Sequence, residues 1–179
     1  MTQTLSKSAR PETGEYLPYY GKYIALVPDG PIVETLRRQI EETTALLRAV
    51  PRDREEHRYA EGKWSVKEVL GHLSDGERVF AYRALRFGRA DQTPLAGFDE
   101  NTYVPAGRFG DRTLASVIDE FRAVREATVR LLEGMPDEAF GRSGKANDAA
   151  ITVRALAWII AGHERHHVGV LKERYGLKG

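Results

Sequence analysis

Three histidines in this chain have the type and spacing to do chemistry together: His72 in one amphipathic segment, and His163 and His167 in the run Gly162-His163-Glu164-Arg165-His166-His167. The last two are i and i+4, so on a helix they project from one face about a turn apart. At about 100° per residue, His167 falls about 40° from His163. Leu156, Ile159, Ile160 and Val170 surround the pair in the same apolar stripe. Imidazoles placed where Leu or Ile would be expected need a compensating partner, because buried polar groups must be satisfied. A bound divalent metal is the most economical partner; hydrogen-bonded core histidines are the other reading. Three neutral imidazoles suit zinc, and also nickel or iron(II). With only three protein ligands, the remaining positions are left to water or substrate, the pattern of a catalytic site.

His72 lies at the edge of its stripe, about 100° from Leu73, on the same side as Gly76 and Arg83. Gly76 and Gly162 each remove a side chain beside a histidine, which leaves open space or lets helices approach closely. Glu77 falls inside the apolar stripe about 40° from Leu73. A carboxylate there is ion-paired (Arg125 and Arg154 are the candidate partners), metal-bound, or held at a raised pKa. Glu77 is therefore a candidate acid/base or ligand-orienting group. Asp75 and Glu164 read as solvated, and His57, in the charged connection Arg52 to His57, as surface. His166 sits at the flank of the stripe, i+3 from His163, and competes with His167 as the second ligand of that helix.

The composition narrows the function classes. Lys plus Arg is 27 and Asp plus Glu is 26, a net charge of +1, which gives no footprint for nucleic acid. No cysteine is present, so disulfides, thiolate zinc sites and a cysteine nucleophile are excluded. The start MTQTLSKSAR has no apolar signal-peptide core, and no segment approaches the roughly 20 apolar residues of a membrane span. A cytoplasmic protein acting on a small molecule, without membrane or nucleic-acid partners, is the expectation.

Four helical segments must position the histidines. The first opens at Asp29-Gly30-Pro31 and ends at Pro51; the second begins at Ser65, with Glu68 completing a capping box, and ends near Gly88. The third runs from about Thr113 to Gly134, before Pro136, and the fourth from about Thr152 to Gly176. Residues 89–112 make a connection of about two dozen residues, long enough to cross the length of a helix and set the second and third helices parallel. The shorter 51–64 and 135–151 connections suit hairpin-like turns. The expected fold is all-α: one domain over 1–179, a four-helix bundle, up-down-down-up, with residues 1–28 as an irregular tyrosine-rich arm packed on the domain or on a second subunit. On the long connection, Tyr103 and Arg108 are candidate substrate contacts.

With Gly62 to Leu73 (GKWSVKEVLGHL), Asp75 to Arg83 (DGERVFAYR) and Gly162 to Val168 in this order and spacing, the chain resembles the DinB-like superfamily of metal-binding four-helix bundles over roughly residues 30–175. The resemblance implies an up-down-down-up bundle, frequent homodimers, and a zinc or nickel site whose ligands here are His72, His163 and His167. It also implies a class of activities. Relatives include transferases using the low-molecular-weight thiols bacillithiol and mycothiol and a thiol-dependent maleylpyruvate isomerase, while others carry only the label metal-dependent hydrolase. The expectation is a metal-dependent enzyme that activates a small thiol or water. The alternative is a non-catalytic binding or stress-response module with a structural or vestigial metal site.

Overall fold

The computed structural model describes residues 9–178. Six helices occur among them: α1 (Gly21–Ile24), α2 (Ile32–Arg48), α3 (Val66–Gly88), α4 (Glu100–Gly107), α5 (Leu114–Glu133) and α6 (Val153–Glu173). A two-stranded antiparallel hairpin, β1 (Ser143–Ala146) and β2 (Ala149–Thr152), precedes α6. The long helices start where their caps place them. Ser65 Oγ accepts from the Glu68 amide while Glu68 accepts from the Ser65 amide at 2.7 Å, the reciprocal box that satisfies two otherwise orphan donors. Thr113 and Thr152 cap α5 and α6 in the same manner, accepting from Ser116 and Ala155.

Side-chain contacts fix the directions. Lys67, at the start of α3, donates to the carbonyls of Gly110 and Arg112, just before α5, and Gly88, ending α3, lies against Met135, just past α5. The two helices are thus parallel. Gln39 and Thr43 of α2 reach Glu164 of α6, while Glu41 of α2 pairs with Arg122 of α5 and Arg37 with Glu133, so α2 runs against α5. The result is up-down-down-up, with α2 and α3 each packed on both α5 and α6. The connection between α3 and α5 carries α4 and a 3-10 turn at Phe109–Asp111, structure that the Gly, Pro and Asp content of residues 89–112 had concealed. Leu95 docks it onto the hairpin by bonding Lys145 and Asn147. The hairpin itself turns on Asn147 and Asp148, both at positive φ, the geometry of a two-residue type I′ turn.

The apolar core is divided. One cluster gathers Leu36, Phe80, Val129, Trp158 and Ala161; the other gathers Ile40, Leu73, Phe121 and Leu171. Between them along the helices lies a buried polar layer made of Gln39, Thr43, Glu77, Arg125, His163 and Glu164. Residues 1–8 of the expected arm lie outside the described residues; its described part packs on the outer side of α6, where Tyr23, Ile24 and Val27 are buried. Glu15 bonds Thr152 at 2.7 Å and also pairs with Arg154. Close approach of the arm requires Gly162, because a Cβ there would lie 2.1 Å from the Tyr23 carbonyl oxygen. No described helix is long and apolar enough to cross a membrane.

Candidate metal centre

His72 comes from the first half of α3, and His163 and His167 from the second half of the antiparallel α6, so the three rings meet across one helix pair. Their ring centroids are 4.7–4.8 Å apart. Nε2 of His72 and Nε2 of His163 are 3.0 Å apart, and one nitrogen from each of the three rings lies within 4.8 Å of the others. His72 is 6% exposed and His163 is 7% exposed, so His72 is buried rather than a boundary residue facing water. Trp64, immediately before the α3 cap, lies over the His72 ring at 4.7 Å, and Tyr23 meets His163 edge-on at 5.4 Å. Gly76 makes room for the His163 ring itself: a Cβ there would be 3.3 Å from its Cε1.

Burial pushes the His72 pKa down to about 4, with Glu100 opposing, and the His167 pKa down to about 3. His163 is driven well below the ordinary imidazole range by burial and then by its neighbours His167 and His72. All three rings are therefore neutral at pH 7, with lone pairs available. Among the described residues no carboxylate lies within ion-pair distance of them. Zinc–nitrogen bonds of about 2.0–2.1 Å at tetrahedral angles require nitrogens roughly 3.3 Å apart. The separations here, 3.0 Å between Nε2 of His72 and Nε2 of His163 and at most 4.8 Å across the trio, bracket that value. The donor set fits a divalent metal. His166, whose ring packs on Tyr23 at 5.3 Å, lines the same cavity outside this trio.

The other candidate residues lie elsewhere. Glu77 gives both oxygens to Arg125, at 2.8 and 2.7 Å, and does not line the cavity. The ion pair, not the metal, accounts for its position in the stripe. Arg125 also donates to Glu164 at 2.8 Å and to the Leu36 carbonyl at 3.1 Å. Glu164 is 1% exposed, contrary to the solvated position expected from its helical angle. Arg154 serves the arm instead, through Glu15. Asp75 is partly exposed beside Arg78, and His57 is partly exposed near Tyr175. Arg108 is an exposed partner of Asp111, and Tyr103 is exposed against Phe98. Neither lines the cavity; Phe98 and Glu100 from the same connection line it instead.

That cavity, about 460 Å³, opens beside the imidazoles, within the usual range for small-molecule sites. Its walls bring together the arm (Tyr20, Lys22), α3 (Arg83), and the hairpin tip (Asn147). The helical wheel puts Arg83 on the side of His72, but sequence reading missed the arm and hairpin contributors, although the tyrosine-rich arm and the Asn147-Asp148 turn were visible signals for them.

A sequence profile of the DinB superfamily matches residues 35–171. Among solved structures, the chain is similar to YfiT from Bacillus subtilis, described as a probable metal-dependent hydrolase with an unusual four-helix bundle topology. The identity is 17%, the TM-score 0.69, and the match covers 98% of this chain and 99% of that one. It is similar to a mycothiol-dependent maleylpyruvate isomerase at 11% identity and a TM-score of 0.65, over 81% of this chain and 61% of the isomerase. A DinB-like protein from Bacillus subtilis matches at 23% identity and a TM-score of 0.57, over 78% of this chain and 85% of that one. Comparison with curated proteins yields no match. The bundle with parallel middle helices and the matched profile agree, and the chain belongs to the DinB superfamily.

Proposed function

We propose that the protein is a metal-dependent enzyme in which His72, His163 and His167 hold one divalent ion, zinc foremost, at the floor of the cavity. The observation carrying this reading is the convergence of three neutral imidazole nitrogens, two buried and that of His167 half-buried, within 4.8 Å beside a cavity of about 460 Å³. A purely structural bundle has no need for that juxtaposition. When bound, such an ion supplies Lewis-acid activation of a small thiol or of water. The descriptions of YfiT as a probable metal-dependent hydrolase and of the isomerase as mycothiol-dependent support both branches.

The chain's own residues do the rest. Burial by Trp64 and Tyr23 keeps the imidazoles unprotonated and limits water to the cavity side. Glu100, the carboxylate in the described wall, accepts or returns the proton exchanged during the reaction. Glu77 holds Arg125 and thereby the register between α3 and α5; it is a positioning residue. The experiment is a screen of the zinc- and nickel-loaded protein against electrophiles with bacillithiol, mycothiol or glutathione, and against esters and amides without thiol. Turnover that disappears in His163→Ala and falls sharply in Glu100→Gln supports the reading. A metal-loaded protein inert throughout the screen contradicts the enzyme and leaves a binding module.

A further inference from the structure

Arg83 stands out among the buried charges because it lacks a counter-ion. It is 4% exposed, and the polar groups it meets are the Ala96 carbonyl, at 2.9 Å, and the Tyr20 hydroxyl. Among the described residues no carboxylate lies within ion-pair distance of it. By contrast, the other two buried guanidiniums have carboxylates: Arg125 holds two, and Arg154 pairs with Glu15. Desolvating a cation without an opposite charge is expensive, and Arg83 faces the cavity that contains the imidazoles. Lys22 lines the same cavity. It rests over the rings of Tyr19 and Tyr23, at 3.9 and 4.9 Å, also without a carboxylate partner among the described residues. Glu100 is the one acid in the described wall, against these two cations and neutral histidines. The wall is electropositive even before any metal is added.

We propose that Arg83, assisted by Lys22, is an oxyanion subsite that binds the carboxylate of the small molecule handled in this cavity. The inference deepens the proposed function and rests on it for the identity of the cavity as a substrate site. A guanidinium already held on one side by a backbone carbonyl keeps further N–H donors for a carboxylate. Phe80 and Phe98, about 6 Å from the Arg83 guanidinium carbon, give the body of the ligand apolar walls. The carboxylate belongs either to the electrophilic substrate or to a thiol cosubstrate, and both present the same group to Arg83.

The test titrates the metal-stripped protein, its fold checked by circular dichroism, with two matched pairs. These are 3-phenylpropionate against 3-phenylpropionamide, and N-acetylcysteine against its amide; stripping the metal removes any competing carboxylate ligand. Binding of a carboxylate about tenfold or more tighter than its amide is expected, for the phenyl pair if the substrate carries the group and for the thiol pair if the cosubstrate does. The preference should vanish in Arg83→Met, persist in part in Arg83→Lys, and weaken in Lys22→Met, whose exposed position keeps the fold intact. Equal affinity within both pairs, a preference untouched by either Arg83→Met or Lys22→Met, or no binding of any probe at millimolar concentration overturns the subsite. Metal retention, measured in parallel, separates the two ideas. Metal held without carboxylate preference sinks the subsite alone, and carboxylate preference without metal sinks the three-histidine centre alone.

Discussion

Two halves of one buried polar layer differ in how completely they are satisfied. On the α2–α5 side, Arg125 joins Glu77 and Glu164; Gln39 donates to the same Glu164 oxygen as Arg125 at 2.7 Å, and Thr43 donates to the other at 2.6 Å. Every charge there has a partner of opposite sign or a hydrogen bond. On the α1 side, His72, His163 and His167 meet one another beside a cavity, with no carboxylate against them among the described residues. Both halves interrupt the apolar core at the same level of the bundle. The saturated half reads as architecture; the half with lone pairs and space to spare reads as a site. Burial of a polar residue, by itself, does not distinguish the two. The partners do.

If that contrast is right, the two halves respond to different perturbations. The largest effect is expected from Arg125→Met, which strands two buried carboxylates: a loss of about 3–5 kcal/mol by urea unfolding, little changed by added zinc. Stability within about 1 kcal/mol of wild type would show the network to be less saturated than the geometry indicates. Next comes acid sensitivity of the histidine half in metal-free protein. The folded-state pKa of His72, about 4, lies below the ordinary imidazole value near 6.5. In between, the unfolded chain binds the extra proton, so stability is full above about pH 6.5 and falls as the pH drops toward 4. His72 alone contributes a loss of about 2 kcal/mol between roughly pH 7.5 and pH 5, which His72→Gln should remove. Identical pH profiles for the two proteins would contradict a neutral, buried His72.

A smaller effect follows from trimming the saturated half. Thr43→Val removes a hydrogen bond to Glu164 and should cost about 1.5 kcal/mol while leaving metal content unchanged. Loss of metal in that variant would mean that the halves are coupled. The smallest is a control on the surface: a double-mutant cycle on Arg130 and Glu126, an exposed i, i+4 pair on α5, should give a coupling below about 0.5 kcal/mol.

The helices were legible because their signals are local. Ser65 with Glu68, Thr113, Gly134 and Thr152 mark ends that the structure reproduces to within a residue or two, apart from the frayed last turn before Gly176. The parallel middle pair followed from the length of residues 89–112. The juxtaposition of His163 and His167 was also local, one helical turn. Glu164 was misread because a helical wheel assumes one covered face, whereas residues 153–164 of α6 are buried all round, and Glu164 itself lies against Gln39 and Thr43 of α2 and Arg125 of α5. Glu77 could be placed in the core but not assigned, since its partner Arg125 is 48 residues away. The cavity walls at Lys22 and Asn147 depend on how the arm and hairpin tip fold back, a tertiary outcome that spacing along the chain does not encode. Arg83 was placed beside His72 by the wheel, yet its lack of a counter-ion became visible only when every nearby carboxylate had been located.

The central claim is that three imidazoles hold one ion, and metal stoichiometry tests it most directly. Purified wild type, His72→Ala, His163→Ala and Glu77→Gln are dialysed against limiting zinc or nickel, and bound metal is measured by mass spectrometry. The account predicts about one ion per chain in wild type, near zero in both histidine variants, and retention in folded Glu77→Gln. Equal, negligible metal in wild type and the histidine variants would contradict it.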